Sequence, residues 1–257
     1  MITDLQKASI LKRISAALFD VILLATLAVG IMSLLGWALG YDAYAEQYTE
    51  IRSRYVAEYA QKYGVEITGD EASSSLTPEQ REAYKAIEEA MNQDPDAVYY
   101  LNMSANLSLV MITFSILFAL LVLEFAVPLL LKNGQTLGKK IFSVALMRSD
   151  GVKVSPVQMF VRTVLGKFAI EIMIPVYMIM MITSGSIGII AIAILGGLLV
   201  GQLLSLILSK TNNLIHDSIA GTVAVDMASQ MIFETSEAKI EYIKRLHAEQ
   251  VSRQEYK

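Results

Sequence analysis

KNGQTLGKKIFSVALMRSDGVKVSP, residues 132–156, is a basic segment set between two long apolar runs. Lys132, Lys139, Lys140, Arg148 and Lys153 are opposed there by Asp150 alone. Positive charge beside apolar runs marks a cytoplasmic loop of a membrane protein. Within the loop, IFSVALM and GVKVSP flank Asp150-Gly151, a pair suited to a short turn between two extended pieces.

Outward from that loop, apolar runs near 14–39, 103–131, 159–182 and 187–209 are long enough to cross roughly 30 Å of hydrocarbon at about 1.5 Å per helical residue. The third is the least clean. Arg162, Lys167 and Glu171 fall in its first half, so it reads as a tilted or partly interfacial segment as much as a simple span. The first run is too long for a signal-peptide core and carries Asp20, so it is kept as a span. Composition agrees, because 54% hydrophobic residues exceed the usual share of soluble domains.

Charge sets the expected orientation. Residues 41–100 hold thirteen acidic and five basic side chains, leaving the rest of the chain net positive. Lys7, Lys12 and Arg13 precede the first run and the basic loop follows the second, which predicts both termini and that loop in the cytoplasm and the acidic segment outside. The fold class expected is an all-α polytopic membrane protein of about four transmembrane helices, with an extracytoplasmic helical hairpin and a short cytoplasmic β-like loop. Its divisions are 1–40, the N-terminus and first span; 41–102, the acidic insertion; 103–131, the second span; 132–158, the basic loop; 159–209, the third and fourth spans; and 210–257, a His-Asp segment with a charged tail helix.

The outer insertion carries a pattern of its own. Tyr41, Tyr44, Tyr48, Ile51, Tyr55, Tyr59 and Tyr63 recur every three or four residues, an amphipathic helix ended by Gly64. Thr77-Pro78-Glu79-Gln80 then supplies an N-cap, a first-turn proline and a capping-box glutamine for a second helix. The tyrosines serve either as packing or membrane-interface residues, or as a partner surface.

Ionisable residues inside apolar runs are costly and turn towards one another, a basic partner or water. Arg13 and Asp20 lie seven apart, within about 20° of one helical face. Glu124, Arg162, Lys167 and Glu171 join them in the same half of the membrane, and no partner for Glu124 is evident. The carboxylates are either a paired network that holds the spans together or a cytoplasm-facing cation or proton site. His216-Asp217 follows the fourth run as a fixed hydrogen-bonded pair or a pH-responsive gate. TVAVD at 222–226 is suited to pair with IFSVALM. Gly197 and Gly201 give the fourth run a small-residue face for close helix packing, and Gln202 a hydrogen bond to a neighbouring helix.

Several functions are disfavoured. The chain has no cysteine and two histidines, which leaves little for a His- or Cys-ligated metal. GQTLGKK differs from a phosphate loop in spacing and lacks its terminal Ser or Thr. No hydrolase or metalloprotease constellation occurs, so no enzyme, no cofactor and no nucleic-acid partner are expected.

Arg13 with Asp20, GQTLGKKIFSVALMRSDGVKVSP with Arg162 after it, and LIHDSIAGTVAVD at 214–226 together resemble the RDD family of bacterial membrane proteins, named for one arginine and two aspartates. Arg13, Asp20 and Asp217 match those three by position, and the resemblance runs from residue 5 to about 227 apart from the outer insertion. One departure is Thr211-Asn212-Asn213 after Lys210, where a basic residue often precedes the His-Asp motif. The resemblance implies a transporter, with sodium/proton antiport proposed for some members, or an accessory subunit that modulates a membrane protease. The expected function is transport of a small cation or proton-coupled solute in a bacterial cell membrane. The alternative is a non-catalytic subunit regulating a partner membrane protein, and few spans favour a homo-oligomer or that alternative.

Overall fold

Gly40 and Gly64, both in the left-handed region, bracket the second helix of a mostly helical chain. The computed structural model describes residues 5–67, 76–184, 189–209 and 211–255. Lys210, the first residues of the fourth apolar run and the end of the tail lie outside them. The chain forms two compact units, residues 32–114 and residues 1–31 with 115–257.

Among the described residues, two helices are long and apolar enough to cross a membrane, α1 at Ile10–Leu39 and another at Pro95–Leu130. Only 6% of the most apolar α1 window is buried within the chain, so its flanks meet lipid or another chain rather than this protein's core. Pro156–Glu171 and Ile174–Met181 form a pair bent by 42°, which makes a third span if the two are one segment. The break falls at Met173, whose φ of 54° no helix interior sustains. The other apolar helix, Ala193–Leu208, is shorter, and the described residues give two or three candidate spans.

In the 32–114 unit, α2 (Tyr41–Tyr63) packs on α3 (Pro78–Gln93). Ile51, Ile87, Met91 and Ala97 form its core, with Tyr48, Tyr55 and Tyr59 against them, so part of the tyrosine stripe is core. The α3 start is a full capping box between Thr77 and Gln80. Asp94 begins the next helix, accepting from the Asp96 backbone N–H at 2.9 Å and from the Tyr55 hydroxyl at 3.0 Å.

The other unit is built on a two-stranded antiparallel sheet, β1 (Val144–Arg148) with β2 (Thr222–Asp226). Val144 faces Asp226 and Arg148 faces Thr222. Each strand's first four residues are buried, because both faces are covered. Val144, Leu146 and Ala224 meet Ala8, Val154 and Met159 on one side, whereas Ala145, Met147, Val223 and Val225 meet Leu5 and Ile232 on the other. The Asp150-Gly151 turn closes with the Arg148 backbone N–H bonded to the Val152 carbonyl at 2.7 Å, and its glycine takes φ 87°. This sheet fixes the two segments that flank the charged cluster: the 132–141 loop before β1 and the His-Asp helix, Ile215–Ala220, before β2.

Candidate functional site

The charged cluster depends on two stretches of π-helix, Leu121–Ala126 and Val161–Glu171. In an α-helix, residues five apart point about 140° away from each other, but i→i+5 bonding brings them towards one face. Arg162 and Lys167, five apart, therefore both reach Glu124. The Arg162 Nη1 lies 3.3 Å from one Glu124 oxygen and the Lys167 Nζ 2.6 Å from the other. The Thr163 hydroxyl donates to the Glu124 backbone carbonyl at 3.0 Å and ties the two π stretches together. Glu124 thus has two cationic partners, neither of them evident from residue spacing.

Arg162 is 1% exposed and spends its fork on three groups. Its Nε donates to Asp217 Oδ1 at 2.8 Å, its Nη1 points to Glu124, and its Nη2 lies 2.7 Å from His216 Nε2. Arg13 donates to the other Asp217 oxygen at 3.3 Å and to the Asn212 carbonyl. The Thr222 hydroxyl adds a bond to Asp217 Oδ1 at 3.2 Å. Burial pushes the Asp217 carboxyl up, but the Arg162 and Arg13 guanidiniums outweigh it and hold it well below the usual carboxylate range.

Arg13 and Asp20, expected on one helical face, both line one cavity, and each bonds a different element. Seven residues bring them to one face but separate them by about 10 Å along the axis, too far for an ion pair. Arg13 instead pairs with Asp217, 204 residues away. Asp20 accepts from the Gly138 backbone N–H at 2.8 Å and from the Thr136 hydroxyl at 2.5 Å, at the start of the short helix Leu137–Ile141. A side chain at position 138 would put its Cβ 2.3 Å from the Ala16 carbonyl oxygen, so glycine is what lets that helix lie against α1.

His216 is corrected, since its close partners are not Asp217, 3.5 Å away. Its Nδ1 and its backbone N–H both contact Glu171 Oε1, at 2.6 and 2.8 Å. Burial lowers its pKa; Asp217 pulls it up and Arg162 pushes it down. One protonation state satisfies both ring contacts: neutral imidazole with Nδ1–H donating to Glu171 and Nε2 accepting from Arg162. Gly166 permits the approach, because a Cβ there would sit 2.7 Å from the His216 Cβ. Gln202 accepts from the Ile215 backbone N–H at 3.1 Å. A Cβ on Gly196, Gly197 or Gly201 would meet nothing within 4 Å among the described residues, so the small-residue face packs on none of the helices described.

These groups surround a cavity of about 360 Å³. Arg13, Lys139, Arg162 and Lys167 line it beside Asp20, Glu124, Glu171 and Asp217, and Val21, Leu24, Leu120 and Ile172 supply apolar wall. Four cations face four anions, so the cavity carries no net charge when His216 is neutral. All eight residues singled out from the sequence, Arg13, Asp20, Glu124, Arg162, Lys167, Glu171, His216 and Asp217, meet here. Lys139 and its cap Thr136 were missed as site residues; the signal available was the capping pattern Thr136-Leu-Gly-Lys inside the loop.

A buried ion-pair cluster among long apolar helices is the mark of an integral membrane protein. Residues 7–221 match the RDD family, and the chain belongs to that family. No curated protein and no solved structure matches the chain.

Proposed function

We infer that this membrane protein carries a small charged solute coupled to protons across a bacterial cell membrane, and that the cavity is its solute site. The observation that supports this is a cavity of about 360 Å³ whose polar lining is made of buried carboxylates paired with lysine, arginine and histidine side chains. The proton-coupled solute is favoured over the bare cation. Asp20, Glu124, Glu171 and Asp217 each already accept from a donor on the protein, so a metal cation would have to displace it. Among the described residues no three His, Asp or Glu side chains are grouped to hold an ion. Four spans, with both termini and the basic loop in the cytoplasm, complete the reading. The unpacked Gly197–Gly201 face suits contact with a second copy.

One observation favours the regulator as a second reading. The 32–114 unit has its own core and a cavity of about 270 Å³ bordered by Tyr48, Arg52, Tyr84 and Glu88, a surface able to hold a partner.

Proteoliposomes containing a pH-sensitive dye separate the two. A carrier moves protons in response to a gradient of one solute from a panel of alkali cations, amino acids and carboxylates, and Glu124→Gln removes the response. Silence across the panel, together with a membrane partner that co-purifies only while residues 41–102 are present, would replace the carrier with the regulator.

A further inference from the structure

Among the cations that line the cavity, Lys139 makes the longest approach to a carboxylate. Lys167 has one at 2.6 Å, Arg162 at 2.8 Å and Arg13 at 3.3 Å, but Lys139 Nζ is 3.9 Å from Asp20. That Asp20 oxygen already accepts from Thr136, and its other oxygen from Gly138. The Thr136 hydroxyl, 3.3 Å from Lys139 Nζ, is also engaged by the Lys139 backbone N–H at 3.2 Å. An ammonium has three donors, and its side chain here is 13% exposed. An under-paired buried charge is costly, and an anion entering the cavity relieves that cost.

We propose that the cavity binds a short aliphatic monocarboxylate, its carboxylate on the Lys139 ammonium and its chain against Val21, Leu24, Leu120 and Ile172. The inference rests on the cavity being the solute site of the carrier. Each competing ligand class meets an obstacle in the lining. An amine would face the Lys139 ammonium. Phosphate brings two charges and no apolar part to a wall with one loosely paired cation. The volume lies at the small end of the roughly 300–1,000 Å³ typical of ligand pockets, which suits a short chain.

The same lysine links the anion to protons. Burial brings its pKa down to about 8; Glu124 and Asp20 pull it up, and Arg162 and Lys167 push it down. A bound carboxylate favours the ammonium and raises that pKa, so above pH 8 binding takes up a proton and weakens as pH rises. Above pH 8, anion and proton therefore bind together.

Titration calorimetry on the full chain in nanodiscs, with butyrate as probe, tests this. Butyrate should bind at pH 7, about tenfold more weakly to Lys139→Met. Its affinity should fall about sevenfold between pH 7 and 9.5, because a group titrating near 8 loses its ammonium over that range and the neutral amine, like methionine, keeps about a tenth of the affinity. Absent binding, equal binding by Lys139→Met, phosphate or butylammonium binding as tightly as butyrate, or binding confined to long-chain fatty acids would overturn the proposal. Should Lys139→Met fail to fold, the wild-type pH series decides alone. Butyrate binding without butyrate-driven proton flux leaves this site standing and removes the carrier; flux of another solute without butyrate binding does the reverse.

Discussion

Asp217→Asn is the sharpest perturbation of the cluster. The carboxylate accepts from Arg162 Nε at 2.8 Å, Thr222 at 3.2 Å and Arg13 at 3.3 Å, and both charged side chains of each pair are at least nine-tenths buried. An asparagine oxygen can keep the Arg162 and Thr222 bonds, but its amide then points two donors at Arg13, and that guanidinium loses its carboxylate. Removing one partner of a buried pair costs about 3–5 kcal/mol. At about 2–4 °C per kcal/mol for a chain near this size, the melting temperature should fall by roughly 6–20 °C. Asp20→Asn is the internal comparison. An asparagine oxygen there still accepts from the Gly138 N–H, and the Thr136 hydroxyl can turn to receive the amide, so the loss is about 1 kcal/mol. Circular dichroism melts of both variants in one detergent read the difference. Equal destabilisation, or the larger loss at Asp20, would refute the assignment of Arg13 to Asp217.

Two further predictions separate packed from unpacked positions and inside from outside. Gly138→Ala forces a Cβ to 2.3 Å from the Ala16 carbonyl and should cost about 1–3 kcal/mol or more, whereas Gly197→Ala meets nothing within 4 Å among the described residues and should be neutral or stabilising; the reverse order of melting temperatures would contradict this packing. Single cysteines at the exposed Ser53 and Ser149 of this cysteine-free chain should label differently in intact cells. An impermeant reagent reaching position 149 but not 53 would reverse the topology.

Local signals in the sequence carried the parts of the fold that depend on neighbours in the chain. Thr77-Pro78-Glu79-Gln80 declared a helix start because capping chemistry is completed within one turn. Asp150-Gly151 between two apolar stretches declared a tight turn, and the partner strand was legible in TVAVD because short buried strands share that composition. The third span was harder to read. Its first half carries Arg162, Lys167 and Glu171, and the observed break at Met173 lies among Ile172, Ile174 and Pro175, where neither composition nor period marks a left-handed residue.

The site was legible as an inventory and not as a wiring diagram, for a reason that lies in helix geometry. Periodicity arguments assume 100° per residue, which assigns Arg162 and Lys167 to different faces and leaves Glu124 alone. The switch to i→i+5 bonding over Val161–Glu171 brings both cations to that one carboxylate. The rewiring frees Arg162 to span two carboxylates and a histidine at once, which a lysine, with no planar fork, cannot do. It also leaves Asp217 to Arg13 and Arg162 and Glu124 to Arg162 and Lys167, so the ion pair left to Lys139 is a distant one with an already committed Asp20. The opening for a ligand anion at Lys139 therefore follows from how the other charges are shared, and no single motif in the sequence contains it.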